Sequence, residues 1–428
     1  MLDLLGLPGV RPVDLQSEGG GITITAETTE SPTPDCPGCG KAMHRHGSRK
    51  TTFADTPQQM QPVRLQIIRP RHRCAECGKM MTPELEFLDE KRRVTTRLIE
   101  EIRKRCLNRT FHSLADETGL AVNTIKNITL DLISELEQTV RYQTPVIMGI
   151  DELKLAGDYR CIITNLATNS VFDMLEKRTK AHMKPFFRAL PDREQVEWVC
   201  TDMWRPFKES FGPYLPNARL VIDKFHVVRM ASDALEYERK KLQATLQRSD
   251  RLKVKKSLRW LTLKRSTSLT PDECKTLEIV RDDMPKLAEA YDFKEAFYDI
   301  YDASDKAEAI RVFESWQNSL PEGELPKFHA LARTVRNHCE DIFAYWDAPV
   351  RITNAYTEGM NGIVKMANRL GRGYSYEIIR ARAVYAEHAR RVSISTKPGL
   401  PTTTPSMPLE YGPHIPTLAD LAERGETG

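Results

Sequence analysis

The sequence predicts a multi-domain α/β-plus-α protein. A mixed sheet flanked by helices is enlarged by an all-helical stretch and preceded by a small β module and a helical hairpin. Three observations predict this. Two Cys-x-x-Cys-Gly turns, at Cys36–Cys39 and Cys74–Cys77, bracket strand-like alternation near the N-terminus. Apolar residues at helical spacing run from Val94 to Val140, broken at Gly119. From Pro145 short apolar runs alternate with helical stretches, and the first, "PVIMGIDELKL", ends abruptly in Asp151 and Glu152.

The totals narrow the function classes. A chain of 428 residues is long enough for several domains, and 40% hydrophobic with 29% charged residues is ordinary globular composition. No apolar run reaches membrane-spanning length, and Asp3 stands where a secretory leader carries positive charge. A cytoplasmic protein with no membrane partner is expected. The net charge of +4 hides an asymmetry: Lys41 to Arg109 holds 17 Lys and Arg against 8 Asp and Glu. Such a stretch is either a face for nucleic acid or a solvated surface.

Residues 1–90 form the first module. "GITITAET" and "PVRLQIIRPRHR" alternate as strands. Each knuckle lets two thiolates reach one ion, and the following Gly permits the bend. Cys36, Cys39, Cys74 and Cys77 together close a tetrahedral zinc site. His44, His46 and His72 lie nearby, as substitute ligands or as part of a basic surface with Arg71 and Arg73. The other five cysteines (Cys106, Cys161, Cys200, Cys274, Cys339) sit singly in apolar contexts and read as small core residues.

Residues 91–142 read as a helix-turn-helix. Ser113 caps one helix, Gly119 makes the turn and Asn123 caps the next, which offers Asn123, Thr124 and Lys126 to a DNA groove. Residues 143–230 then give three strands, a helix, a strand ending in Asp202, a helix, and a strand running into Asp223 and His226. That is the ribonuclease-H-like order. Residues 231–350 are helical throughout and begin basic, with Lys240, Lys241, Arg251, Lys255 and Lys256 as phosphate contacts. Residues 351–395 supply last helices of the core, with Arg369 and Arg372 as further contacts, and 396–428 is a Pro/Thr-rich flexible tail.

In this topology the strands ending in Asp151 and Asp202 lie side by side. Two carboxylates so close repel, and a divalent cation removes the conflict. Oxygen donors favour Mg2+ or Mn2+. On "NAYTEGMNGIVK", Asn354, Glu358, Asn361 and Lys365 share one helical face, which is either solvated or directed at the acids. Two such ions would clamp the attacking and leaving oxygens of an in-line displacement.

The knuckles, the helix-turn-helix, "GIDE", "TDMWRPF", "VIDKFHV" and "NAYTEGMNG" together resemble the DDE transposases of bacterial insertion sequences, most closely the ISL3 family. The resemblance runs from Leu5 to Arg391 and implies a triad of Asp151, Asp202 and Glu358. It implies two-metal-ion phosphodiester cleavage and strand transfer, with Asp223 and His226 beside the active site. Terminal inverted repeats and target DNA would be the partners, in a homodimer or larger synaptic complex associated with the nucleoid. The alternative is a zinc and helix-turn-helix DNA-binding protein whose activity is lost or purely nucleolytic.

Overall fold

Alternating apolar and polar residues build the N-terminal sheet in the computed structural model, which describes residues 6–29, 33–155, 157–245, 258 and 263–395. Its strands are β1 (Val10–Glu18), β2 (Gly21–Thr28), β3 (His44–Gln58), β4 (Gln61–Arg73), β5 (Met80–Met81), β6 (Leu88–Asp89) and β7 (Val94–Thr95). The order is β1-β2-β4-β3-β7-β6, with β5 on β4. Strands β2 and β4 run parallel, and Ile22, Ile24, Ala26, Val63, Leu65 and Ile67 bury one face with Phe53. Sequence alternation located β2 and β4; β1 and the long β3 are additions.

Three helices follow: α1 (Thr96–Arg105), α2 (Phe111–Thr118) and α3 (Val122–Thr139). Buried Asp55 of β3 ties the sheet to α1, accepting from Thr95 Oγ1 at 2.7 Å and Arg97 Nε at 2.7 Å. Gly119 makes the turn with φ +70°, as its position predicts. The expected caps are displaced. Thr110, not Ser113, caps α2, and α3 starts after Ala121, so Asn123 lies inside the helix. Of the single cysteines, Cys106, Cys161 and Cys200 are buried, whereas Cys274 is exposed and so is no core residue.

The chain divides into two units. One holds residues through Arg141 together with those starting at Met366; the other holds Tyr142–Lys365. In the second, β8 (Ile147–Leu155), β9 (Asp158–Asn165) and β10 (Ser170–Leu175) form an antiparallel meander. Helix α4 (Lys180–Ala189), β11 (Trp198–Thr201), α5 (Arg205–Phe211), β12 (Arg219–Ile222) and α6 (Lys224–Thr245) complete the α/β part. The strand order is β10-β9-β8-β11-β12, with β11 and β12 parallel to β8. Two expectations change here. Strand β8 does not stop at Asp151 but continues to Leu155 against β9, and the run into His226 breaks at Asp223, where α6 takes over.

Both faces of this sheet are covered, as its near-continuous apolar strands require. Met148, Ile150 and Val199 pack on Met183 and Phe187 of α4 and Phe207 and Phe211 of α5. Trp198, Cys200 and Val221 face the helical stretch of α7 (Pro271–Asp283), α8 (Pro285–Tyr298), α9 (Lys306–Asn318), α10 (Pro326–Asn337) and α11 (Cys339–Phe343). Helix α12 (Ala355–Gly371) begins in this unit, and α13 (Tyr376–Ser395) belongs to the other. There Tyr374 and Arg382 grip the helix-turn-helix: Tyr374 Oη accepts from Phe111 N at 3.2 Å, and Arg382 Nη2 donates to Cys106 O at 2.7 Å. The sequence grouping of 351–395 with the α/β core therefore differs from this division from Met366 onward. The tail expected at 396–428 lies outside the described residues.

Candidate active site

The two knuckles converge. Cys36 and Cys77 Sγ are 3.4 Å apart, Cys39 and Cys74 3.5 Å, and Cys39 and Cys77 3.8 Å. Zn–S bonds of about 2.3 Å in a tetrahedron put sulfurs about 3.8 Å apart, so the four thiols fit zinc. The turns are built alike. Gly40 and Gly78 donate to Cys36 O and Cys74 O at 2.8 and 3.1 Å, with φ of +68° and +71°. The Gly38 N–H aimed at Cys36 Sγ pulls that thiol down to about 6 and the Cys77 N–H lowers Cys74, toward the thiolates a metal needs, whereas the neighbouring sulfurs raise Cys39 and Cys77. No histidine among the described residues joins the cluster: His44 and His46 are exposed, and His72 is buried in β4 rather than on a basic surface.

The acids assemble in the second unit. Gly149 of β8 and Cys200 of β11 are register partners, so Asp151 and Asp202, each two residues further on, stand at the same level, the first within β8 and the second just past the end of β11. Strand β11 has ended by Asp202, which exposes one edge of β8 at Asp151. The Asp202 carboxylate accepts from Trp204 N at 2.9 Å, at the start of α5. Asp151 is buried, accepting from Glu152 N at 2.7 Å and Asn361 Nδ2 at 2.7 Å. Glu152 turns away and pairs with Arg178.

Helix α12 brings Glu358 by docking on β8. Asn354, just before the helix, donates through Nδ2 to Ile150 O at 3.0 Å and through its backbone N to Asp223 at 2.9 Å. Its Oδ1 accepts from Thr357 Oγ1 at 2.7 Å, and the Thr357 and Thr164 hydroxyls meet at 2.7 Å. This approach requires Gly149. A Cβ there would lie 2.4 Å from Thr164 Oγ1 and 2.6 Å from both Asn354 Oδ1 and Thr357 Oγ1. Asn354 and Asn361 are buried and Lys365 is exposed, so the polar face is directed at the acids over most of its length. Sequence reasoning missed Gly149, Thr164 and Thr357; a small–polar set of this kind shows only when the two elements are seen packed.

The electrostatics are those of crowded carboxylates. Burial, then Asp202 and Asp223, pushes Asp151 up to about 7, against the pull of His226 and Lys365. Burial, then Asp223 and Asp151, likewise pushes Glu358 up to about 7. Asp223 is raised too, chiefly by burial. Asp223 Oδ2, His226 Nε2 and Asn361 Oδ1 are buried without hydrogen-bond partners among the described residues. A set of acids flanked by unpartnered buried polar atoms fits a divalent cation.

The expected phosphate contacts divide. Asn123 and Lys126 are exposed on α3 and Thr124 is half-buried; Arg73 is exposed and Arg71 half-buried. Lys240 and Lys241 are exposed but already paired on α6, with Glu236 at 3.6 Å and Glu238 at 3.7 Å. Arg369 and Arg372 are exposed. Arg251, Lys255 and Lys256 lie outside the described residues.

Known families match the chain segment by segment. The zinc finger of the transposases of IS204, IS1001, IS1096 and IS1165 matches residues 32–77, which hold all four clustered cysteines. The helix-turn-helix domain of the ISL3 transposase family matches 83–133. The ISL3 DDE transposase family itself matches 148–383, more than half of the chain. A curated relative, the transposase for insertion sequence element IS1001 of Bordetella parapertussis, is 24% identical over 373 residues, covering 83% of this chain and 89% of its own. Zinc ribbon, helix-turn-helix and acid-bearing α/β unit thus stand in the order of one family, and the chain belongs to the ISL3 transposases.

Proposed function

We propose that this chain cleaves DNA at the ends of an insertion sequence and joins the freed 3′ ends to target DNA. The acid triad is Asp151, Asp202 and Glu358, on a ribonuclease-H-like core. The observation that carries this reading is the docking of α12 across β8 beside the β8–β11 pair. The strand order supports it: an antiparallel meander continued by two strands parallel to the first.

Each residue then has a task. Asp151, Asp202 and Glu358 would hold Mg2+ or Mn2+. When bound, such ions supply a lowered pKa for the attacking water or 3′-hydroxyl and charge stabilisation for the leaving oxygen. Asn361 fixes the Asp151 carboxylate through one oxygen, leaving its orientation set by two donors. Asn354 fixes the start of α12 and hence the place of Glu358. The zinc ribbon and helix-turn-helix hold the terminal inverted repeats, with Asn123, Thr124 and Lys126 facing the bases and Arg71, Arg73, Arg369 and Arg372 the phosphates. Two ends must be joined, so a dimer or larger assembly is the working form.

The test is cleavage of a labelled duplex carrying a terminal repeat. Asp151→Asn, Asp202→Asn and Glu358→Gln should each lower cleavage by on the order of 10³-fold while end binding persists. Retained cleavage in any one removes that residue from the triad. Cleavage without joined products would make the protein a nuclease instead.

A further inference from the structure

Asp223, His226 and Glu358 form a tighter group than the three acids of the triad. One ligand atom of each lies within 4.8 Å of the others. His226 Nε2 stands 3.6 Å from Glu358 Oε1, too far for a hydrogen bond. Asp223 is fully buried; Oδ1 accepts from Asn354 N at 2.9 Å, and Oδ2 has no partner among the described residues. His226 Nε2 is also buried without one.

Two unmade hydrogen bonds at adjacent buried atoms are costly, at about 1–3 kcal/mol each. A direct imidazolium–carboxylate pair would close to about 2.7–2.9 Å, which this one does not. Donors around a shared ion, each about 2.0–2.2 Å from it, stand about 3–4 Å from one another. The His226 Nε2–Glu358 Oε1 pair has that spacing, and a ligand atom of Asp223 lies within 4.8 Å of both. The location has an electrostatic cost, because His226 lies in the first turn of α6, whose N-terminal end repels cations. Asp223, immediately before that helix, offsets it.

We propose that Asp223, His226 and Glu358 form a cation seat of mixed nitrogen and oxygen donors, separate from the Asp151–Asp202 side and sharing Glu358 with it. Imidazole admits Mn2+ and later transition ions but not Mg2+ on equal terms, so this seat discriminates between the two ions that an all-oxygen cage would treat alike. The inference deepens the proposed reading and rests on the acids binding cations at all.

The test uses the full-length, zinc-loaded protein without DNA, titrated with Mn2+ and followed by electron spin-echo spectroscopy for imidazole nitrogen coupling. The half-exposed ring makes His226→Gln the safer variant, with Asp223→Asn as the second and circular dichroism checking folding. The wild type should show the coupling. His226→Gln should abolish it and weaken Mn2+ binding about 10–100-fold, while Mg2+ binding changes less than about threefold. An Asp151→Asn/Asp202→Asn double variant should keep the coupling, which would uphold this seat even if the triad reading failed. Mn2+ bound without nitrogen coupling overturns the seat and leaves the triad standing. Coupling that survives His226→Gln, or that vanishes in the double variant, also overturns it.

Discussion

The four thiols and the acid cluster both fit cations, and they differ in almost every other respect. The thiols come from two short turns of identical design, stand 3.4–3.8 Å apart across the measured pairs, and form a closed set. The acids come from β8, the end of β11, the start of α6 and α12, and leave buried atoms unpartnered. A closed four-thiolate site has no position for a substrate; an open set of oxygens does. The difference separates a closed centre, suited to structure, from an open one, suited to chemistry. It also predicts opposite responses: removing a thiol should cost stability, whereas removing an acid should relieve it.

The largest effect should follow from breaking the thiol set. Structural zinc contributes about 10–16 kcal/mol of binding free energy that is also folding free energy. Cys74→Ser, at a buried ligand, should release zinc, unfold the N-terminal β module and abolish end binding. Asp151→Asn should instead leave zinc content unchanged and raise the melting temperature without divalent ions. Metal analysis with calorimetry checks both, and a stabilised Cys74→Ser or a destabilised Asp151→Asn would reverse the assignment of roles.

Next in size is the glycine contrast. Gly149→Ala puts a methyl 2.4–2.6 Å from three oxygens of β9, Asn354 and α12. Such overpacking costs about 1–3 kcal/mol and displaces Glu358, so cleavage should fall by on the order of 10²-fold. Gly40→Ala meets no atom within 4 Å and is disfavoured only by its φ of +68°, a cost of about 1 kcal/mol with no effect on Glu358. Thermal melts and cleavage rates distinguish them. Equal losses in both variants would mean that the α12 contact is not special.

These two glycines also show what the sequence could convey. Gly40 follows a Cys-x-x-Cys, so its role is written within five residues. Gly149 is read only as part of an apolar run, because its neighbours Thr164, Asn354 and Thr357 are distant in the chain. Asp151 and Asp202 were legible through topology, yet the continuation of β8 to Leu155 was not. The two acids at 151 and 152 look like an end, and the pairing with β9 that overrides them is nonlocal. Of the hairpin between the knuckles only β4 was located, for a local reason. Its turn residues, Gln59 and Met60, have φ of +50° and +61° but lack the Asn or Gly that normally signals such a turn.

The pH dependence sharpens the comparison further. Asp151 and Glu358 rise from 3.8 and 4.5 to about 7 in the fold. A carboxyl whose folded pKa is raised holds its proton more tightly when folded. Its contribution to stability is therefore present below the unfolded pKa and lost as pH rises toward about 7. Divalent cations bind the ionised form, so the increase in melting temperature produced by Mn2+ should be larger at pH 8 than at pH 5.5. The gap between those two increases should shrink in Asp151→Asn/Glu358→Gln. Equal increases at both pH values in the wild type would show that the acids are not the groups responding.

The smallest effect tests whether long-range assembly also governs the unit that holds the zinc. The helix-turn-helix is read from a contiguous stretch, but its first helix depends on a residue more than 250 positions later. The Phe111 N–H at the start of α2 is one of the donors that a helix leaves unpaired, and Tyr374 Oη accepts it at 3.2 Å. Arg382 lies over the Tyr374 ring, 4.5 Å from its centroid, and donates to the same hydroxyl at 3.2 Å. Tyr374→Phe keeps the ring contacts and removes only the acceptor, so it should cost about 0.5–1.5 kcal/mol. Tyr374→Leu should cost more by also removing the tilted ring contact with Phe111, whose centroid is 4.8 Å away. In amide exchange the Phe111 N–H should lose protection in both variants while the zinc turns keep theirs. If Phe111 stays protected in Tyr374→Phe, the C-terminal segment does not hold the recognition helices, and their order comes from local sequence alone.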